Sequence, residues 1–241
     1  MVIKIVYPSL LYLALLSNTS IVAQSNQINH AIDFIKLGDY DSAIVALEKA
    51  LFLGDIKPEK IYQETIFRSL FIDADIRVKT HNLLREYPQK ESLNILDSLE
   101  TGDILEINGL VTDAKDKAIP ETVFYFFAVD ANGLYAPEYI KAGYGSNNPR
   151  LFGYVKTNEK GEFTINTINP PSYIGLNNIR HVHYKVTTPG GVSNEGEFIF
   201  SKRPTPSQSQ YEWANRVGFQ IIDQNKVGNI FKAFIKIKIN E

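Results

Sequence analysis

From Gly102 onward the chain is written in period two, and this constrains its fold more than any other feature. Ile104–Val111 alternates apolar and polar residues, Thr122–Val129 is β-branched and aromatic, and Glu162–Ile168 alternates again. His181–Thr187, Glu195–Ser201, Val217–Ile222 and Ile230–Ile239 follow. In the last of these, Ile235, Ile237 and Ile239 share one face, with Lys236 and Lys238 on the other. Successive strand side chains point to opposite faces, so runs of this kind are half-buried strands. Turn-forming clusters separate them: Asp130-Ala131-Asn132-Gly133, Asn158-Glu159-Lys160-Gly161 and Pro189-Gly190-Gly191. Short strands with regular turns and no helical pattern between them predict a mainly β fold, a β-sandwich over residues 101–241. The proline-rich stretch Ser201–Ser209 reads as a surface loop.

Residues 24–100 have a different period. Apolar residues recur at Ala31, Ile32, Phe34 and Ile35, then at Ala43, Ile44, Leu47, Ala50 and Leu51, the spacing of two amphipathic helices. Gly38 is suited to end the first and Asp41 to cap the second. Gly38–Ile44, continued through Leu47, Ala50 and Leu51, resembles the second half of a tetratricopeptide repeat, with small residues Ala31, Ala43 and Ala50 where paired helices approach. Residues 58–90 keep the helical period without those small residues. Solenoid repeats stabilise one another by stacking. A single unit therefore leans on another part of the chain, as a packing element, or offers a groove to a protein partner.

At the N-terminus, Lys4 precedes an apolar run from Ile5 to Leu16, then polar Ser17–Ser20 and Ile21-Val22-Ala23-Gln24. A positive residue, an apolar core and a small residue before the cleavage point are the order of a secretory signal, here residues 1–23. The expectation is a secreted or periplasmic protein with no membrane span after cleavage, since the run is short for one. A buried first helix, or an anchor if the segment is retained, is the competing reading. There is no cysteine, which excludes disulfides, thiolate ligands and a lipid-modified cysteine. A net charge of −2 and the lack of a glycine-rich phosphate loop argue against nucleic-acid and nucleotide chemistry.

Two of the four histidines form His181-Val182-His183 within a predicted strand. Residues i and i+2 share a strand face, so both imidazoles can reach one point, as metal ligands or as a hydrogen-bonded surface pair. The frame around them is more specific. Thr157-Asn158-Glu159-Lys160-Gly161-Glu162-Phe163-Thr164-Ile165-Asn166-Thr167-Ile168-Asn169-Pro170-Pro171-Ser172-Tyr173, followed by His181-Val182-His183, resembles the signature of intradiol ring-cleavage dioxygenases. Upstream, Gly109–Asp113, Ala118-Ile119-Pro120, Val129–Tyr135 and Asn148–Gly153 fall in that family's order. The likeness runs from about Gly102 to Ile239.

The resemblance implies a β-sandwich holding one non-haem Fe(III) between two tyrosinates and two histidines. His181 and His183 match the histidine pair. Tyr173 matches the later tyrosine, the ligand released when substrate binds and able to take up a substrate proton. Tyr135 corresponds best to the first tyrosine; Tyr139 or Tyr144 are alternatives on a loop of variable length. Phenolate is a hard anionic donor that favours Fe(III), and neutral imidazole keeps the total charge moderate. The implied reaction is cleavage of a catechol-type or hydroxyquinol-like ring with O2 to a muconate-type diacid. Two departures stand out. Asn178-Ile179-Arg180 replaces the family's Arg-Pro-Ala, so the arginine that supports substrate charge is missing, and Arg180 has the wrong strand parity to replace it. Arg150 is a candidate substitute. Asp116-Lys117 stands where relatives favour glycine. The second functional reading is a catalytically inactive dioxygenase-like sandwich that serves, with its helices, as a binding or assembly module.

Overall fold

The computed structural model describes residues 27–138, 147–171, 180–201 and 206–240. Residues 1–23, Tyr139, Tyr144 and Tyr173, as well as Asn178 and Ile179, lie outside them. Contacts divide the chain into two units, Met1–Lys57 and Pro58–Glu241. No helix among the described residues is long and apolar enough to cross a membrane.

The first unit contributes two helices, α1 (27–37) and α2 (Tyr40–Leu53). Gly38 separates them in the left-handed region, φ 75°. The cap of α2 falls earlier than expected: the Asp39 carboxylate, not that of Asp41, accepts from the Ser42 amide. Asp41 instead sits in the first turn, where a negative charge suits the helix dipole. Ala31, Ala43, Ala46 and Ala50 are all buried.

The second unit begins with short helices: α3 (Pro58–Gln63), a 3-10 turn, α4 (Ser69–Ile72) and α5 (Ala74–Glu86). Strand structure starts at Gln89, before the Gly102 boundary expected from periodicity. Strands β1 (Gln89–Lys90) and β2 (Ser92–Asn94) are too short to show a period. They are followed by β3 (Ile104–Asp113), β4 (Val123–Ala128), β5 (Leu151–Lys156), β6 (Glu162–Ile168), β7 (His181–Thr187) and β8 (Ser193–Phe200). Helix α6 (Gln208–Val217), then β9 (Gln220–Ile222), β10 (Gln224–Val227) and β11 (Ile230–Ile239), complete the described order. The α6 helix takes in Gln208 and Ser209, the end of the stretch read as loop, and Val217, read as strand, while residues 202–205 lie outside the described residues. Ser207 and Gln210 form a reciprocal capping box, and Gly218 closes the helix in the left-handed region.

The strands form a six-stranded sheet, β1-β5-β4-β7-β8-β9, and a five-stranded sheet, β10-β11-β3-β6-β2. Together they make a β-sandwich. β3 pairs in parallel with the last strand, β11, and antiparallel with β6. Inner faces meet through Phe124 of β4 and Phe163 of β6, stacked with centroids 4.3 Å apart. Phe124, Phe126, Val182, Val186 and Phe198 are wholly buried, and each such phenylalanine contributes roughly 2 kcal/mol by leaving water. The β11 alternation is as predicted, with Ile235, Ile237 and Ile239 buried and Lys236 and Lys238 exposed.

Two turn positions show how close packing selects residues. At Gly161, φ is +73° and a Cβ would lie 2.5 Å from the Val111 carbonyl oxygen, so only glycine fits. Asp116, where a glycine was expected, adopts φ 65°. Its carboxylate meets Lys236 and Lys238 at 2.7 and 2.8 Å. Aspartate is among the few residues with a side chain that tolerate that region.

β5 is buried on both faces because α5 covers the side turned away from the other sheet. His81 of α5 lies flat on Phe152, centroids 3.4 Å apart, with Nε2 2.8 Å from the Pro149 carbonyl oxygen. Arg77, fully buried, donates to the carbonyls of Phe71, Ile72 and Asn148 and pairs with Glu138. Burial, chiefly, lowers the His81 pKa from 6.5 to about 4. An unfolded chain therefore takes up the proton first as pH falls, so this stability is complete above 6.5 and is lost between 6.5 and 4. The shift corresponds to about 3 kcal/mol. Urea unfolding across that window should show wild type losing up to about this much more than His81→Gln, whose side chain does not titrate. Parallel pH profiles for the two proteins would refute the assignment.

Candidate metal centre

Strand parity puts the histidine pair outside the sandwich. On β7, Val182, Tyr184 and Val186 turn into the core, which leaves His181 and His183 on the outer face of the six-stranded sheet. Register then builds a row across four strands. Phe127 of β4 lies opposite Phe152 of β5 and opposite His183, and His183 lies opposite Glu197 of β8. The Phe127 ring stacks on the His183 ring, centroids 4.5 Å apart and planes 7° from parallel.

The loop after β4 brings Tyr135 over this row. Asp130 organises the loop: its carboxylate accepts from the amides of Asn132 and Leu134, and its own amide donates to the Leu134 carbonyl. Gly133 supplies the left-handed turn, φ 78°. The Tyr135 carbonyl accepts from the Arg150 amide at 2.6 Å, which fastens the loop to the start of β5. Tyr135 is 3% exposed, packed with Val129 and Phe127.

The three side chains converge. Tyr135 Oη is 2.6 Å from His183 Nε2, and His181 Nε2 is 3.1 Å from the same nitrogen. A ring nitrogen has one lone pair or one hydrogen, so His183 Nε2 cannot satisfy two such neighbours well by hydrogen bonding alone. A cation among them accepts all three lone pairs at once. Two imidazoles and a phenol are a donor set suited to a first-row transition metal, so the residues fit the ion that the sequence resemblance implies.

Glu197, which the sequence reading missed, completes the group. Its Oε1 is 3.3 Å from His183 Nδ1 and its Oε2 is 4.0 Å from His181 Nε2. His181, His183 and Glu197 offer ligand atoms that all lie within 4.8 Å of one another. The signal was present: His183 and Glu197 stand equally far in sequence from the two ends of the Thr188–Val192 turn. Burial, with a lesser contribution from neighbouring His181, lowers the His183 pKa to about 3. Burial raises Glu197 to about 7. The imidazole is thereby held neutral, the form that ligates metal.

No protein-family model matches the chain, and no curated protein sequence matches it. Solved structures do match. One is the dioxygenase domain of a dioxygenase carbohydrate-binding protein fusion from the cellulolytic bacterium Streptomyces sp. SirexAA-E. It is 17% identical, with a TM-score of 0.47 over 63% of this chain and 88% of that one. Another is 3-chlorocatechol 1,2-dioxygenase from Rhodococcus opacus 1CP, 18% identical, with a TM-score of 0.46 over 63% of this chain and 64% of that one. A third is catechol 1,2-dioxygenase from Acinetobacter sp. ADP1, 13% identical, with a TM-score of 0.46 over 96% of this chain and 82% of that one. Likeness at this level concerns the shape of the fold. The chemistry must come from the residues themselves.

Arg150, the candidate substitute for the missing arginine, is buried in an ion cluster. Its guanidinium makes a two-pronged contact with Glu100 at 2.6 and 2.9 Å and lies 3.6 Å from Asp130. Arg68 reaches the same Glu100 at 3.6 Å and also pairs with Asp97 at 2.6 Å. Burial works against the Arg150 charge, but Glu100 and Asp130 more than offset it and raise its pKa. Arg180 turns away from the histidines, as parity predicts. It is buried, donates to the Asn169 side chain and lies over the Phe200 ring.

Proposed function

We propose that this chain is an exported ferric dioxygenase of the intradiol type, opening a catechol-type ring with O2 to a muconate-type diacid. The observation that carries this reading is the convergence of Tyr135 Oη and His181 Nε2 on His183 Nε2, at 2.6 and 3.1 Å. The order of motifs from Gly109 to His183 supports it. A ferric ion held there would supply Lewis acidity toward the two catechol oxygens and so activate the ring, which itself gives the electrons that reduce O2.

The protein's own groups do the remainder. His181 and His183 are neutral donors, and Tyr135, once its Oη proton is lost, is an anionic one that favours the ferric state. Phe127 shields one face of the His183 ring from water. In this reading Tyr173 is the second phenolate, and when displaced it takes a catechol proton at its Oη. The α1–α2 hairpin serves contacts with a protein partner.

A second reading is favoured by Arg150, whose charge is already matched by Glu100 and Asp130. With that guanidinium engaged, the sandwich cleaves no ring and acts, with its helices, as a binding or assembly module. One experiment separates the two. Iron-loaded protein should show a visible tyrosinate-to-iron band, and catechol or hydroxyquinol should shift it while O2 is consumed and diacid forms in equal amounts. Colour without O2 uptake on either substrate selects the second reading. A colourless protein after loading sinks the first.

A further inference from the structure

Glu197 has no counterpart in the two-tyrosine, two-histidine ligand set, yet the fold aims it at that set. It is fixed by register: His183 and Glu197 are directly opposed on neighbouring antiparallel strands, where side chains on one face are in contact. Its side chain is 20% exposed and its carboxylate oxygens approach His181 and His183 at 4.0 and 3.3 Å. The nearer contact is to His183 Nδ1, at 3.3 Å, on the opposite side of the ring from the Nε2 that meets Tyr135 and His181.

That geometry matters because an imidazole's two nitrogens are coupled. A neutral ring that presents a lone pair at Nε2 carries its hydrogen at Nδ1, and whatever accepts that hydrogen fixes both tautomer and ring orientation. Phe127 limits the same ring by stacking, but a stack is kept when the ring flips by 180° about its Cβ–Cγ bond; a partner at Nδ1 holds one of the two orientations. We propose that Glu197 is a positioning residue. It accepts the Nδ1 hydrogen of His183, holds Nε2 toward the metal, and makes the ring a stronger donor. The inference rests on the reading that His181 and His183 hold a metal ion.

The test uses the full chain and Fe(III), with affinity measured against a competing chelator and the visible band recorded. Glu197→Ala should weaken Fe(III) binding about 10- to 100-fold, the effect expected for an outer partner of a metal-bound histidine. Glu197→Gln keeps an oxygen acceptor at the same place and should recover most of that loss. As a readout independent of activity, nitrogen NMR on histidine-labelled protein loaded with diamagnetic Ga(III) should show His183 protonated at Nδ1 in wild type. Equal affinity in wild type and Glu197→Ala overturns the proposal, as does a Gln variant that binds as weakly as the Ala variant. The latter result would make Glu197 a direct, charge-bearing ligand. Thermal melting of metal-free Glu197→Gln should match wild type, and a wild-type spectrum without a proton on His183 Nδ1 overturns the proposal whatever the variants do. Wild type that takes up no Fe(III) overturns this proposal together with the metal reading, whereas wild-type binding with unchanged variants overturns this one alone.

Discussion

His183→Ala is expected to weaken Fe(III) binding by more than about 100-fold, since losing even an outer partner of a ligand costs 10- to 100-fold. His183 is the nitrogen on which both other donors converge, so its removal leaves Tyr135 and His181 without a common vertex. The fold should survive, because the ring lies on the outer face of the six-stranded sheet and the β7 core positions Val182, Tyr184 and Val186 are untouched. Tyr135→Phe is the companion measurement. It keeps the buried ring against Val129 and Phe127 but removes the oxygen, so it should diminish or shift the visible band. Chelator competition and the visible spectrum check both variants. Wild-type affinity in His183→Ala, or an unaltered band in Tyr135→Phe, would remove these residues from the site.

The second large effect is expected at Arg150. Replacing it with methionine strands the Glu100 carboxylate, 7% exposed, and takes a cation from beside Asp130. Breaking one side of a buried pair costs about 3–5 kcal/mol. The loss should fall near the lower bound, because Arg68 remains 3.6 Å from Glu100. Urea unfolding measures it, and the double variant Arg150→Met with Glu100→Gln should recover part of the stability, since no uncompensated charge remains at position 100. Arg150 also anchors the Tyr135 loop, both through its amide and through Asp130. If instead Arg150→Met melts as wild type does yet loses turnover, the side chain serves substrate and the ion cluster is incidental.

Much of the sandwich is legible in local sequence. The alternation of Ile235, Lys236, Ile237, Lys238 and Ile239 survives intact in β11, and the parity of His181-Val182-His183 correctly places both imidazoles on one face. The turn at Asp130–Gly133 and the one ending in Gly161 also stand where their residues announced them. Where the reading failed, the signal was short or the partner distant. β1 and β2 span too few residues to express a period, and α6 is marked chiefly by Ser207 and Gln210 at its start and Gly218 at its end.

What the sequence by itself determined is therefore which residues face inward, where the chain turns, and that two histidines can act together. Those properties follow from the stereochemistry of neighbouring residues and need no knowledge of the rest of the chain. Only the tertiary structure decided that β3 lies beside β11, that Glu197 stands opposite His183, that Tyr135 Oη closes on the pair, and that Arg150 is claimed by Glu100. These are contacts between residues far apart in sequence, set by strand register and loop closure. A local pattern specifies the face of a strand but not its neighbour.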